Sequence, residues 1–121
     1  MARTLIEPRT LRGFRDLLPG PAAYRTWCIE QVSATFRSFG FQPVTTPALE
    51  YAEVLKGKGS EDHDREMFEF QDRGGRDVGM RFDLTVPLAR FVSQHRGQLL
   101  LPLRAYQIGP VWRGERPQSG R

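Results

Sequence analysis

Apolar residues recur along this chain with two different periods, and the changes of period mark out its elements. From residue 21 to about 39, Tyr24, Trp27, Cys28, Val32, Phe36 and Phe39 return every three or four residues, the spacing that gathers side chains on one face of a helix. Pro21 suits the first turn, where its missing N–H has no helical partner to lose, and Gly40 stands where the helix needs a residue able to turn left-handed. So aromatic a face predicts core or a subunit interface. Residues 41–45 read as a short strand ended by Pro47, and 48–56 as a short helix closed by Gly57. Residues 57–64 (GKGSEDHD) form a polar loop. The period then becomes two: Phe68, Phe70, Val78, Met80 and Phe82 alternate in two runs, 66–71 and 76–83, joined by Asp72-Arg73-Gly74-Gly75. That is a hairpin signal. Thr85 is placed to cap a helix through Val86, Pro87, Leu88, Ala89, Phe91 and Val92 to Gly97. Residues 103–113 read as a final strand, with Gly109-Pro110 marking a bulge or an edge.

The predicted order is helix, strand, helix, hairpin, helix, strand. Without regular alternation of strand and helix, it predicts an α+β fold, an antiparallel sheet flanked by helices. No repeat, low-complexity run or linker divides the chain, so residues 1–121 are read as one piece of one domain. Neither G-x-G-x-x-G nor G-x-x-x-x-G-K-[ST] occurs, so a nucleotide site here would be neither of the Rossmann nor of the P-loop kind.

Composition narrows the class. An apolar fraction of 39% and a charged fraction of 26% are those of a folded soluble protein, and no apolar run approaches a bilayer's width. The first ten residues lack the apolar core of a signal peptide, which points to the cytoplasm. The single Cys28 falls on the apolar helical face and reads as a buried, inert thiol. His63 with Glu61, Asp62 and Asp64 has metal-binding residue types, but adjacent side chains diverge, so the stretch reads as a solvated loop and no metal site is expected. The net charge is +4, and sixteen of the 18 basic residues are Arg, the side chain suited to forked contacts with phosphate and carboxylate.

Four of those arginines, Arg104, Arg113, Arg116 and Arg121, lie in the last 18 residues beside one acid, Glu115. Within residues 108–121 (IGPVWRGERPQSGR) an apolar run enters a Pro117/Gly120 turn, as a strand enters a hairpin. Arg113 and Glu115 are two apart, so on a strand both leave from one face. The pair suits a ligand carrying both phosphate and hydrogen-bond donors; a same-face ion pair on a solvated hairpin is the plainer alternative.

Four stretches together resemble one family, the histidyl-tRNA synthetases, which are class II aminoacyl-tRNA synthetases. Residues 13–19 (GFRDLLP) look like that family's opening segment. Residues 39–41 (FGF) through 46–50 (TPALE) are similar to motif 1 of class II enzymes. Residues 66–70 (EMFEF) and 81–90 (RFDLTVPLAR) resemble the histidine-binding strand and helix, and 111–121 (VWRGERPQSGR) the first half of motif 2. The resemblance implies the N-terminal portion of a class II catalytic core, short of the rest of that domain and of an anticodon-binding domain. It implies a two-step activity: histidine and ATP give histidyl-adenylate and pyrophosphate, and the histidyl group then passes to its tRNA. Residue by residue, Arg113 would grip the α-phosphate and the histidine carboxylate, and Glu115 and Arg121 would hold ATP. Asp83, Leu84 and Thr85 would face the histidine, Asp83 and Thr85 at its ammonium group. For Asp83 and Thr85 the alternative role is helix capping. ATP would bring Mg2+ with it, although no ligand for the ion is assigned in this chain. The partners implied are histidine, ATP, tRNA(His) and a second subunit, with the 24–39 helix and Pro47 at the dimer interface, and no membrane. Because so much of the family's length lies beyond residue 121, this chain alone is expected to be inactive.

Two other readings compete. A histidine-sensing, non-catalytic regulatory subunit of ATP phosphoribosyltransferase shares the fold and an Asp-x-Thr segment, and the 115–118 stretch (ERPQ) argues against it. A small basic RNA-binding module would need exposed aromatics interleaved with Arg.

Overall fold

A computed structural model describes residues 5–57 and 67–114 of the chain. Helix α1 (Pro19–Ser38) starts two residues before the expected position, because Pro19 takes the first helical place and Ala22 N–H already bonds Leu18 O at 2.9 Å. Its far end is a Schellman motif. Gly40, at φ +80°, lets Phe41 N–H reach Phe36 O (3.1 Å) and its own N–H reach Arg37 O (3.0 Å), while the Phe41 ring packs 5.9 Å from that of Phe36.

Strand β1 (Gln42–Pro43) follows. It pairs in parallel with β5 (Ala105–Tyr106), so the sheet content is not wholly antiparallel as expected. Phe36 stacks on Tyr106 with centroids 5.0 Å apart, and Arg37 Nη1 donates to the Tyr106 hydroxyl at 3.2 Å. The last turn of α1 is thereby docked on this strand pair.

The second sheet is antiparallel, in the order β2 (Leu49–Tyr51), β4 (Asp77–Met80), β3 (Glu69–Gln71). Strand β2 corrects the sequence reading, which placed a helix over 48–56. Leu49, Glu50 and Tyr51 pair with Met80, Gly79 and Val78, and only Ala52–Lys56 is helical, as α2. The short run has too few residues for a period to show, and its partner lies some thirty residues away.

The hairpin of β3 and β4 is as expected, with Phe70 opposite Val78. Asp72 organises its turn: Oδ1 accepts the N–H groups of Gly74 (2.9 Å) and Arg76 (3.0 Å), and Oδ2 accepts Arg76 Nε (2.6 Å). Ala52, Leu55 and Met67 form the core with Phe82 and Val86 packed against them. Gly79 permits this, since a Cβ there would stand 2.7 Å from Met67 Sδ and 3.1 Å from Leu55 Cδ1.

Helix α3 (Thr85–His95) has Pro87 fully buried in its first turn and is fastened to β2 by Arg90, whose Nε and Nη2 fork onto the buried Glu50 carboxylate at 2.7 to 3.2 Å. The expected final strand over 103–113 shortens to β5. Residues 107–114 belong to no helix or ladder and are held by one backbone bond, Trp112 N–H to Arg81 O, and by side-chain bonds. Helix α1 also departs from one expectation, in that it buries no residue: Tyr24 is 69% exposed and Trp27 55%. Its aromatic face is not core of this chain, and Cys28 is only partly buried.

Candidate active site

Two segments carry the expected site residues, and the fold lays one beside the other. The first, residues 81–85, links the end of β4 to α3. Asp83 is half-buried, and its Oδ1 accepts the Val86 N–H at 3.2 Å. Asp83, and not Thr85, therefore satisfies a free N–H at the start of α3; Thr85 is the first helical residue and is exposed. The capping alternative thus holds for one oxygen of Asp83 and fails for Thr85.

The second segment, residues 107–114, runs past the first and is bonded to it at four points, one of them from Arg81 Nε to Pro110 O. Gln107 Nε2 donates to Leu84 O (3.2 Å), Trp112 N–H to Arg81 O (3.0 Å), and Arg113 Nε to Phe82 O (3.3 Å). Arg113 is exposed, and a guanidinium from residues 107–114 is thus hydrogen-bonded to the backbone one residue before Asp83. Glu115 and Arg121 lie outside the described residues, as does the His63 loop.

Beneath the surface, Thr46 and Arg81 are both buried. The Thr46 hydroxyl donates to Gln107 Oε1 at 3.0 Å and accepts from Arg81 Nη1 at 3.2 Å; Arg81 Nη1 also donates to Thr46 O (2.9 Å), and Nε to Pro110 O (2.9 Å). Sequence reasoning gave Thr46, Arg81 and Gln107 no role. Thr46 and Arg81 did stand in stretches that resemble the family, 46–50 and 81–90, but nothing there singled them out, and Gln107 had only its polar character beside apolar neighbours.

Residues 110–114 also line a cleft of about 1470 Å3, whose other walls are residues 12–17, the first turns of α1 and Phe68. Arg12, Arg15, Arg25 and Arg113 line it with one acid, Asp16, and Phe14 packs on Phe68 at 6.1 Å. Its field favours an anion. Among the described residues no group of three or more His, Cys, Asp or Glu side chains could hold a metal ion, and no helix is long and apolar enough to cross a membrane.

Comparison with known proteins places the chain in a family. The family model described as histidyl-tRNA synthetase matches residues 13–121. The histidine-tRNA ligase of Rhodopirellula baltica is 57% identical over 117 residues, which are 97% of this chain and 26% of that protein. That of Wolinella succinogenes is 55% identical over 119 residues, 98% and 27%. Among solved structures, histidyl-tRNA synthetase from Nostoc sp. PCC 7120 superposes with a TM-score of 0.80 at 33% identity, covering 89% of this chain and 25% of that one. A protein of Bacillus halodurans C described as ATP phosphoribosyltransferase regulatory subunit/histidyl-tRNA synthetase does so at 0.81 and 27% identity, covering 93% and 30%. The chain spans about a quarter of the length of the curated relatives it matches. With the family model covering nearly all of it and relatives sharing more than half its residues, the chain belongs to the histidyl-tRNA synthetase family.

Proposed function

We propose that this chain supplies the histidine-binding segment and the phosphate-gripping arginine of a histidine-tRNA ligase, which joins histidine to its tRNA through a histidyl-adenylate. The observation that carries the reading is the hydrogen bond from Arg113 to Phe82 O, which brings a guanidinium to the residue next to Asp83. Asp83 binds the ammonium group of histidine with the carboxylate oxygen not used by Val86, and the exposed Thr85 hydroxyl adds a hydrogen bond. Leu84, its carbonyl tied by Gln107, keeps the two in place. Arg113 takes the histidine carboxylate and the α-phosphate of ATP together, so that nucleophile and electrophile meet with their mutual repulsion offset. The work is positioning and charge stabilisation, and the carboxylate is itself the nucleophile, so no general base is required. Glu115 and Arg121 complete the nucleotide contacts. Mg2+ would enter with the nucleotide, held largely by its phosphates, and no step is assigned to it. Cytoplasmic tRNA(His) is the acceptor, and the exposed aromatic face of α1 joins a second copy in a homodimer.

The regulatory-subunit reading shares the fold, as the Bacillus halodurans likeness illustrates. Relatives at 51 to 57% identity that bear the ligase name favour catalysis. Histidine-dependent ATP-pyrophosphate exchange by the complete gene product tests it: exchange that disappears with Arg113→Ala supports the ligase, and histidine binding without exchange overturns it in favour of the regulator.

A further inference from the structure

Arg81 is the most enclosed cation of the described residues, at 7% exposure, and neutral oxygens surround it. Its Nε donates to Pro110 O, 29 residues on, and its Nη1 to Thr46 O and Oγ1, 35 residues back. Its own backbone completes the set: Arg81 N–H bonds Ala48 O at 3.0 Å and Arg81 O accepts Trp112 N–H at 3.0 Å. Three chain segments, 46–48, 81–85 and 110–112, therefore meet at one residue. A guanidinium can do this because its donors diverge in a rigid plane; an ammonium at the end of a flexible stem cannot serve Pro110 and Thr46 in the same geometry. Gly109 leaves the room needed, since a Cβ there would stand 2.7 Å from Arg81 Nη2.

We infer that Arg81 is a positioning residue for the adenylation site. It holds residues 110–113 at a fixed offset from residues 81–85, and so sets the separation between Asp83, the ammonium anchor, and Arg113, the phosphate clamp. The inference rests on the ligase reading above. Arg81 touches neither substrate; it acts through Pro110 and Trp112 on Arg113, and through its own place in the chain on Asp83. Since each anchor remains when Arg81 is altered, each substrate still binds. What fails is the alignment of carboxylate and α-phosphate, to which rate is steeply sensitive.

The test uses the complete gene product carrying Arg81→Lys, which keeps the charge and loses the fork, and Gly109→Ala, which pushes on Nη2 and leaves Arg81 in place. In pyrophosphate exchange normalised to titrated active sites, both variants are expected to lower kcat tenfold or more while KM for histidine and for ATP moves less than threefold. Their double variant should lose much less than the product of the two effects, because both act on one joint. An unchanged kcat per active site, with only the folded fraction reduced, would make Arg81 merely structural and overturn the inference. A rise in one substrate's KM at constant kcat would do so too, by making Arg81 a direct contact. If the unaltered protein shows no exchange, the ligase reading fails separately. The joint is then judged by amide hydrogen exchange at Trp112, which both variants should accelerate at least tenfold relative to amides of α1; equal protection in all forms refutes it.

Discussion

In the proposed ligase Arg113 and Asp83 do different work, one at the phosphate and one at the ammonium group, and on that reading their variants should fail differently. Arg113→Ala removes a donor aimed at charge that grows in the transition state, so exchange should fall about 10²–10³-fold. Arg113→Lys should recover little of it, because a point charge cannot fork onto phosphate and carboxylate together. Asp83→Asn keeps an oxygen for Val86 N–H, so the helix start survives, but the charge facing the ammonium group is lost. Steady-state kinetics should show KM for histidine raised about ten- to a hundredfold, the scale of one charge-assisted hydrogen bond, with KM for ATP little changed. Both residues could be singled out in the sequence as candidates because they sit in short stretches whose neighbours resemble those of one family. Arg81 could not, although it lies two positions from Asp83. Its partners are Thr46 and Pro110, and nothing in the order of residues says that these three stand together.

The elements divide along the same line, between what is local and what is not. The β3–β4 hairpin was legible because its period and its Asp-Arg-Gly-Gly turn are contained in a dozen residues. Its turn also carries a pH signature. The hydrogen bond from the Arg76 side chain, then its backbone N–H, hold the Asp72 carboxyl below its ordinary range, and the same pairing raises Arg76. A carboxylate lowered in the folded state contributes its stabilisation fully above its ordinary pKa and loses it as the pH falls through the lowered value. NMR titration should therefore find Asp72 with a midpoint below that of an unstructured Asp, the turn amides of Gly74 and Arg76 moving with it. Strand β2 was misread as helix because its ladder partner and the Arg90 that pairs with its Glu50 are 30 to 40 residues away. Its weight is testable. Glu50 and Arg90 have 7% and 23% exposed side chains, so Glu50→Ala leaves a largely enclosed guanidinium without its carboxylate. Thermal or urea unfolding should show a loss of about 3 kcal/mol, and restoring Asp should not recover all of it, since the shorter arm cannot reach the fork.

For the whole molecule, the α+β class followed from element order, whereas the parallel β1–β5 pair did not, because it joins residues 42–43 to 105–106. The face of α1 was legible as apolar and aromatic, but periodicity marks a buried face without saying what buries it. Among the described residues only its Phe36 end is packed, on Tyr106; Tyr24 and Trp27 stack on one another, centroids 6.1 Å apart, and both stand open. Were a second copy to cover them, Trp27→Asp should convert the complete gene product from dimer to monomer in sedimentation and lower its melting temperature, while a variant that stays dimeric would remove this face from the interface.

The chain's 2 tryptophans stand at opposite ends of that question, Trp27 on the open face of α1 and Trp112 between the Arg81 carbonyl and Arg113. Indole emission shifts with the polarity around the ring, so each reports on its own surroundings. Replacing one by Phe would leave this part of the protein a single indole: Trp112 for substrates arriving beside Asp83, Trp27 for subunits meeting. Light emitted by the protein itself, without a dye or a label, could then order the two events in time.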